Sequence, residues 1–125
     1  MELAELRRRH TDLAIQAVRP GCIENETLGE MLGEQTAMAK KTGALLAKTP
    51  EIDLLLRVAG TRQISEAIKE IGTRRKEGQT ILALGAERDL SELEKETGIR
   101  GRVKSRPLSE EELDRVERAA LLSVG

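Results

Sequence analysis

A chain of 125 residues is the size of one compact domain, and this one must fill its core without Phe, Tyr or Trp, because it has none. Its 21 Lys and Arg against 22 Asp and Glu leave a formal charge of -1, so overall charge does not point to a polyanion, and the missing aromatics remove the usual stacking platform for single-stranded nucleic acid. One cysteine excludes an internal disulfide, no apolar run reaches about 18 residues and the N-terminus carries no secretory pattern, so a soluble cytoplasmic protein without a membrane partner is expected.

In chain order, residues 2–9 (ELAELRRR) read as a charged helix and 13–18 (LAIQAV) as a strand. Pro20 and Gly21 turn the chain, and Cys22 and Ile23 begin a second short strand that Asn25 ends. Over 27–41, Leu28, Met31, Leu32, Met38 and Ala39 share one helical face, which Gln35 interrupts. Gly29 and Gly33 stand four apart in that helix. Each costs about 1 kcal/mol against Ala, which either weakens the helix or lets another element pack closely on it. Gly43 ends the segment, and a short apolar link follows at 44–47.

Thr49-Pro50-Glu51 is a helix start, with a cap residue, a proline at the first helical position and an acid in the first turn. Residues 50–59 are apolar almost all round, which implies a buried helix, and Asp53 and Arg57 are spaced to pair along its one polar edge. Gly60 suits the left-handed residue that closes a helix, and Thr61 suits the cap of the next. Ile64, Ala67, Ile68 and Ile71 recur at helical spacing, so one stripe of a helix over 61–71 is expected in the core, with Gly72 as its stop. Arg62, Gln63 and Lys69 lie off that stripe.

Residues 72–78 (GTRRKEG) form a basic loop, and 79–85 (QTILALG) is the clearest strand in the chain. A helix over 88–97 turns Leu90 and Leu93 inward and stops at Gly98. Residues 99–106 (IRGRVKSR) alternate, which would line Arg100, Arg102, Lys104 and Arg106 along one face of a strand closed by Pro107. Ser109 and Glu112 have the spacing of a capping box, opening a last helix over 110–123 with Leu113, Val116, Ala120 and Leu121 inward. The sum is a helix-rich α+β fold, one domain over 1–125, with a small mixed or antiparallel sheet packed by helices on one side.

Catalytic constellations are poorly represented. His10 sits in a charged segment far in sequence from any convincing serine and reads as solvated. Cys22 has no marked local activator and reads as a small buried thiol. A metal cluster of His and Cys is missing, and no cofactor is expected. Residues 72–80 (GTRRKEGQT) fail as a phosphate loop: the glycine gap is one too long, Gln79 replaces the lysine, and a strand follows instead of a helix. Two surface features remain. The basic alternation at 100–106, with Arg74, Arg75 and Lys76 across the strand, is either a phosphate-contacting surface or an edge strand blunted by charge. The outer side of the 61–71 helix is either a binding face or an ordinary solvated one.

The run LLRVAGTRQISEAIKEIG at 55–72 resembles the signature of the archaeal and eukaryotic KEOPS subunit that binds the complex's small kinase. In that family a helix ending in a G-x-R-Q-I turn leads into a helix of the form x-x-A-I-x-x-x-G. Gly60, Arg62, Gln63, Ile64, Ala67, Ile68 and Gly72 match, and the resemblance runs over roughly 13–122. Against that family the first strand is expected to be missing from this sequence, and Pro50 and Glu51 stand where members often carry bulky aromatics. The resemblance implies a regulatory, non-enzymatic subunit. It would bind and activate the small protein kinase and engage the 3′ CCA end of tRNA, recruiting it for threonylcarbamoyladenosine modification. ATP, metal and chemistry would belong to other subunits, and DNA is not indicated. Carried over by position, Arg57, Thr61, Arg62, Gln63 and Lys69 are expected at the RNA or partner surface, with Arg74, Arg75, Arg102 and Lys104 as possible phosphate contacts. Arg57 is equally readable as structural, held by Asp53. The competing readings are a small nucleotide-binding module on strand 79–85, or an oligomerisation module using the glycine face of helix 27–41.

Overall fold

The computed structural model describes residues 2–73, 78–98 and 107–123. Over these the chain is α+β, with six helices and a two-stranded antiparallel sheet. The order is α1 (Leu3–Arg9), β1 (Ala14–Val18), α2 (Glu26–Thr42), α3 (Pro50–Ala59), α4 (Ile64–Ile71), β2 (Thr80–Leu84), α5 (Glu87–Thr97) and α6 (Glu110–Leu121).

The sheet pairs Ala14 with Leu84 through Val18 with Thr80. Because strand side chains alternate, this register fixes two faces. Val18, Leu82 and Leu84 join Leu28, Leu32, Leu54 and Leu56 in the larger core, under α2 and α3. Ile15, Ile81 and Ala83 join Leu6, Leu13, Leu90 and Leu93 in a smaller core, under α1 and α5. Helices therefore cover both faces, not the one side expected. Every residue of β1 is buried as a result. The second short strand expected at Cys22 and Ile23 does not form. Ile23 is buried in the larger core, and the Asn25 side chain accepts the Thr27 N–H to cap α2.

The local signals at helix ends act as the sequence implied. Thr49 caps α3 through the Ile52 N–H, Pro50 opens it, and Gly60 closes it at φ 74°. Ser109 and Glu112 form the reciprocal capping box of α6. Gly33 lies against β2, where an added Cβ would meet Leu84 Cδ2 at 2.5 Å. The glycine thus admits the strand that the helix packs on.

Helix α6 presents another face than its apolar spacing suggests. On α6 the buried residues are Glu112 and Ala119, with Val116 half-buried, whereas Leu113 and Leu121 are exposed, as is Ala120. Polar groups hold that inward face. Asn25 donates to Glu112, and Arg115 donates to the carbonyls of Cys22 (2.9 Å) and Val58 (3.3 Å). His10 is not solvated either. Its ring is largely covered and lies 2.6 Å from Glu96 Oε2, joining the end of α1 to α5.

Candidate binding surface

The turn from α3 to α4 is built on one carbonyl. Leu56 C=O accepts the N–H groups of both Gly60 (2.8 Å) and Thr61 (3.2 Å), which requires the left-handed backbone at Gly60. The Thr61 hydroxyl then accepts the Gln63 N–H at 3.1 Å and donates to Glu66 Oε2 at 3.2 Å. Thr61 therefore organises the turn, but the helix starts at Ile64 and not at residue 61. At its other end Ile71 C=O accepts the Arg19 N–H (2.7 Å), and Lys69 C=O accepts Arg19 Nη2 (3.1 Å). Arg19, which its sequence position did not single out, thereby ties α4 to the end of β1.

The four apolar positions of α4 lie within one arc of about 100°, but only one edge of that arc meets the rest of the chain. Ala67 and Ile71 take the inward line. Ile64 and Ile68, expected in the core, are instead 44% and 54% exposed. They form an apolar shoulder one helical step from Ser65 and Lys69. Arg62, Gln63 and Lys69 are exposed, and Thr61 is half-buried. The structure thus brings four of the five expected RNA-binding residues to one turn and helix, and adds two isoleucines that pattern reading had assigned inward.

Arg57 leaves that set. It is buried, donating from Nε to Asp53 Oδ1 (2.7 Å), from Nη2 to Asp53 Oδ2 and Ser123 Oγ, and from Nη1 to the Ala119 carbonyl (3.1 Å). Asp53 is filled from further donors, the Thr36 hydroxyl (2.6 Å) and the Leu46 N–H (2.9 Å). The pair is not on a polar edge of α3; it locks α2, α3, α6 and the 44–47 link together. The structural alternative for Arg57 is the one its geometry supports. Arg74, Arg75, Arg102 and Lys104, with the basic strand expected at 99–106, lie outside the described residues.

Other chemistry has little to work with. Burial pushes the Cys22 thiol above its ordinary pKa, against the opposing influence of Arg115 and Arg19, so the nucleophilic thiolate is disfavoured. Among the described residues no three His, Cys, Asp or Glu side chains converge as a metal site. No helix among them is long and apolar enough to cross a membrane.

No protein-family model matches the sequence. No curated protein matches it either.

Proposed function

We propose that this chain is a non-catalytic binding subunit of the KEOPS kinase-binding type. It holds and activates a small protein kinase and recruits tRNA by its 3′ CCA end for threonylcarbamoyladenosine modification. The observation that carries the reading is the outer side of α4. There Ile64 and Ile68 stand exposed beside Arg62, Gln63 and Lys69, on the stretch that carries the family-like motif. Exposed aliphatic side chains next to an arginine suit a recognition surface better than a purely solvated helix. Arginine both contacts phosphates and stacks on bases, which matters in a chain with no aromatic residue.

The oligomerisation alternative rested on Gly29 and Gly33 as an open face. The Leu84 side chain fills the space beside Gly33, so that glycine serves packing within the chain.

The test is a gel-shift titration with one tRNA, intact and with its CCA end removed, alongside capture of the kinase. Saturable binding that needs the CCA end, weakened by Arg62→Glu in a folded protein, is the expected result. Equal affinity for both tRNAs together with no capture of the kinase overturns the reading.

A further inference from the structure

Among the described residues β2 has one neighbouring strand, β1, and no strand lies along its other edge. Two bonds on β1 reveal what that edge offers. Arg7 Nε donates to the Ile15 carbonyl at 2.8 Å, and the Gln16 side chain accepts the Ala17 N–H at 3.0 Å. Ile15 and Ala17 therefore aim their main-chain groups away from β2. In an antiparallel ladder their partners Ala83 and Ile81 aim theirs away from β1. Natural edges are usually blunted by charge or proline. Thr80–Leu84 (TILAL) has neither.

This edge lies in a cleft of about 760 Å³, the size of a ligand groove. Gly29 and Gly33 of α2 wall it on one side, and Leu90 and Leu93 of α5 on the other. Its rim is acidic. Glu26, Glu30 and Glu34 form one row along α2, and Glu94 faces them from α5. All four are exposed, and none has an ion-pair partner among the described residues.

We propose that this cleft takes an extended basic peptide segment of a partner protein. The segment adds to β2 as a strand through Ile81 and Ala83, and sets its Lys and Arg side chains against the glutamate row. Main-chain pairing supplies affinity in such strand addition, and alternate side chains supply selectivity. The charge of the rim selects a basic strand over an acidic one. The cleft shares no residue with the outer side of α4, so this inference stands apart from the tRNA reading.

The test uses the full chain and a fluorescent peptide of about eight residues, alternating Val with Lys or Arg, followed by anisotropy. Saturable binding is expected, absent for the same peptide with Glu at the basic positions. Glu30→Gln with Glu34→Gln should weaken it about fivefold, as the loss of exposed charge pairs does. Ala83→Pro removes an outward N–H that the β1 ladder does not use, and should abolish binding in a protein whose circular dichroism is unchanged. Should that variant misfold, Ile81→N-methyl-isoleucine, made by semisynthesis, removes a donor on the same edge. Binding that survives loss of these donors is charge attraction alone and overturns the proposal. So does no binding at all. Binding that appears only after Arg100, Arg102, Lys104 and Arg106 are changed to Gln assigns the cleft to the chain's own basic stretch, and overturns it as well.

Discussion

Arg57 and Asp53 meet inside the core, Nε to Oδ1 at 2.7 Å, with side chains 2% and 0% exposed. A buried ion pair repays its desolvation only when every remaining donor and acceptor is also satisfied. Here Thr36, Leu46, Ala119 and Ser123 complete the set. Arg57→Met leaves the Asp53 carboxylate without its cation and should lower the free energy of unfolding by about 3–5 kcal/mol. Asp53→Asn combined with Arg57→Met should lose clearly less than the sum of the two single changes. Urea unfolding measures both. A single-variant loss under about 1 kcal/mol would show that the network is not what joins the three helices.

The two sides of α4 should separate stability from binding. Ile64→Gln and Ile68→Gln alter exposed positions and should move stability by no more than about 0.5 kcal/mol. Ala67→Leu forces three carbons into a fully buried position and should cost about 1–3 kcal/mol. On the functional reading proposed above, the two Gln variants should also weaken kinase capture or CCA-dependent tRNA binding while melting like the parent. Thermal melts alongside pull-downs decide it. Unfolding of the Gln variants would mean that the isoleucines are core after all.

Most helix ends were legible from sequence because each rests on a few adjacent residues, the start of α4 at Ile64 being the exception. Thr49-Pro50, Gly60 and Ser109 with Glu112 act locally and behave as their chemistry dictates. Facing directions were less legible. The inward line of α6 runs through Glu112 and Arg115, whose partners Asn25, Cys22 and Val58 are all more than fifty residues away. A hydrophobic pattern cannot see polar groups that satisfy each other in the interior. The same limit hid the burial of Arg57. Its spacing from Asp53 was visible, but the carbonyl of Ala119 that closes the site comes from the other end of the chain. On α4 the apolar stripe was real, yet only Ala67 and Ile71 have an element to pack on. The surplus is what marks the candidate surface.

The two glycines of α2 should respond in opposite directions. At Gly29 an added Cβ meets Ile23 Cγ2 at 3.4 Å, an ordinary contact, so Gly29→Ala should stabilise by about 0.5–1 kcal/mol through helix propensity. At Gly33 the contact with Leu84 is far closer, and Gly33→Val adds bulk where β2 must pack, so it should destabilise by about 1–3 kcal/mol. Denaturant midpoints of the two variants test the pairing of α2 with β2. Equal and positive shifts would mean that Leu84 moves aside without penalty and that the glycine is not needed for the approach.

Glu96 gives the fold a pH-dependent fastening between α1 and α5. It accepts from Arg9, and its second oxygen lies 2.6 Å from His10 Nε2. The Arg9 hydrogen bond is the main influence holding its pKa below the ordinary carboxylate value, with burial opposing and His10 adding to the depression. A carboxylate depressed in the folded state binds protons less readily there than in the unfolded chain. Its stabilising contribution is therefore complete above the unfolded pKa of about 4.3 and is lost as pH falls through the lower folded value. Glu96→Gln cannot lose what it does not have. The parent should melt higher than Glu96→Gln near neutrality, and the gap should close as pH falls from about 6 to about 3. Because the group is solvent-accessible, added salt should narrow the same gap at neutral pH. A gap in melting temperature that stays constant over that range would mean that the Gln variant loses packing against α1, and that the ion pair itself contributes nothing.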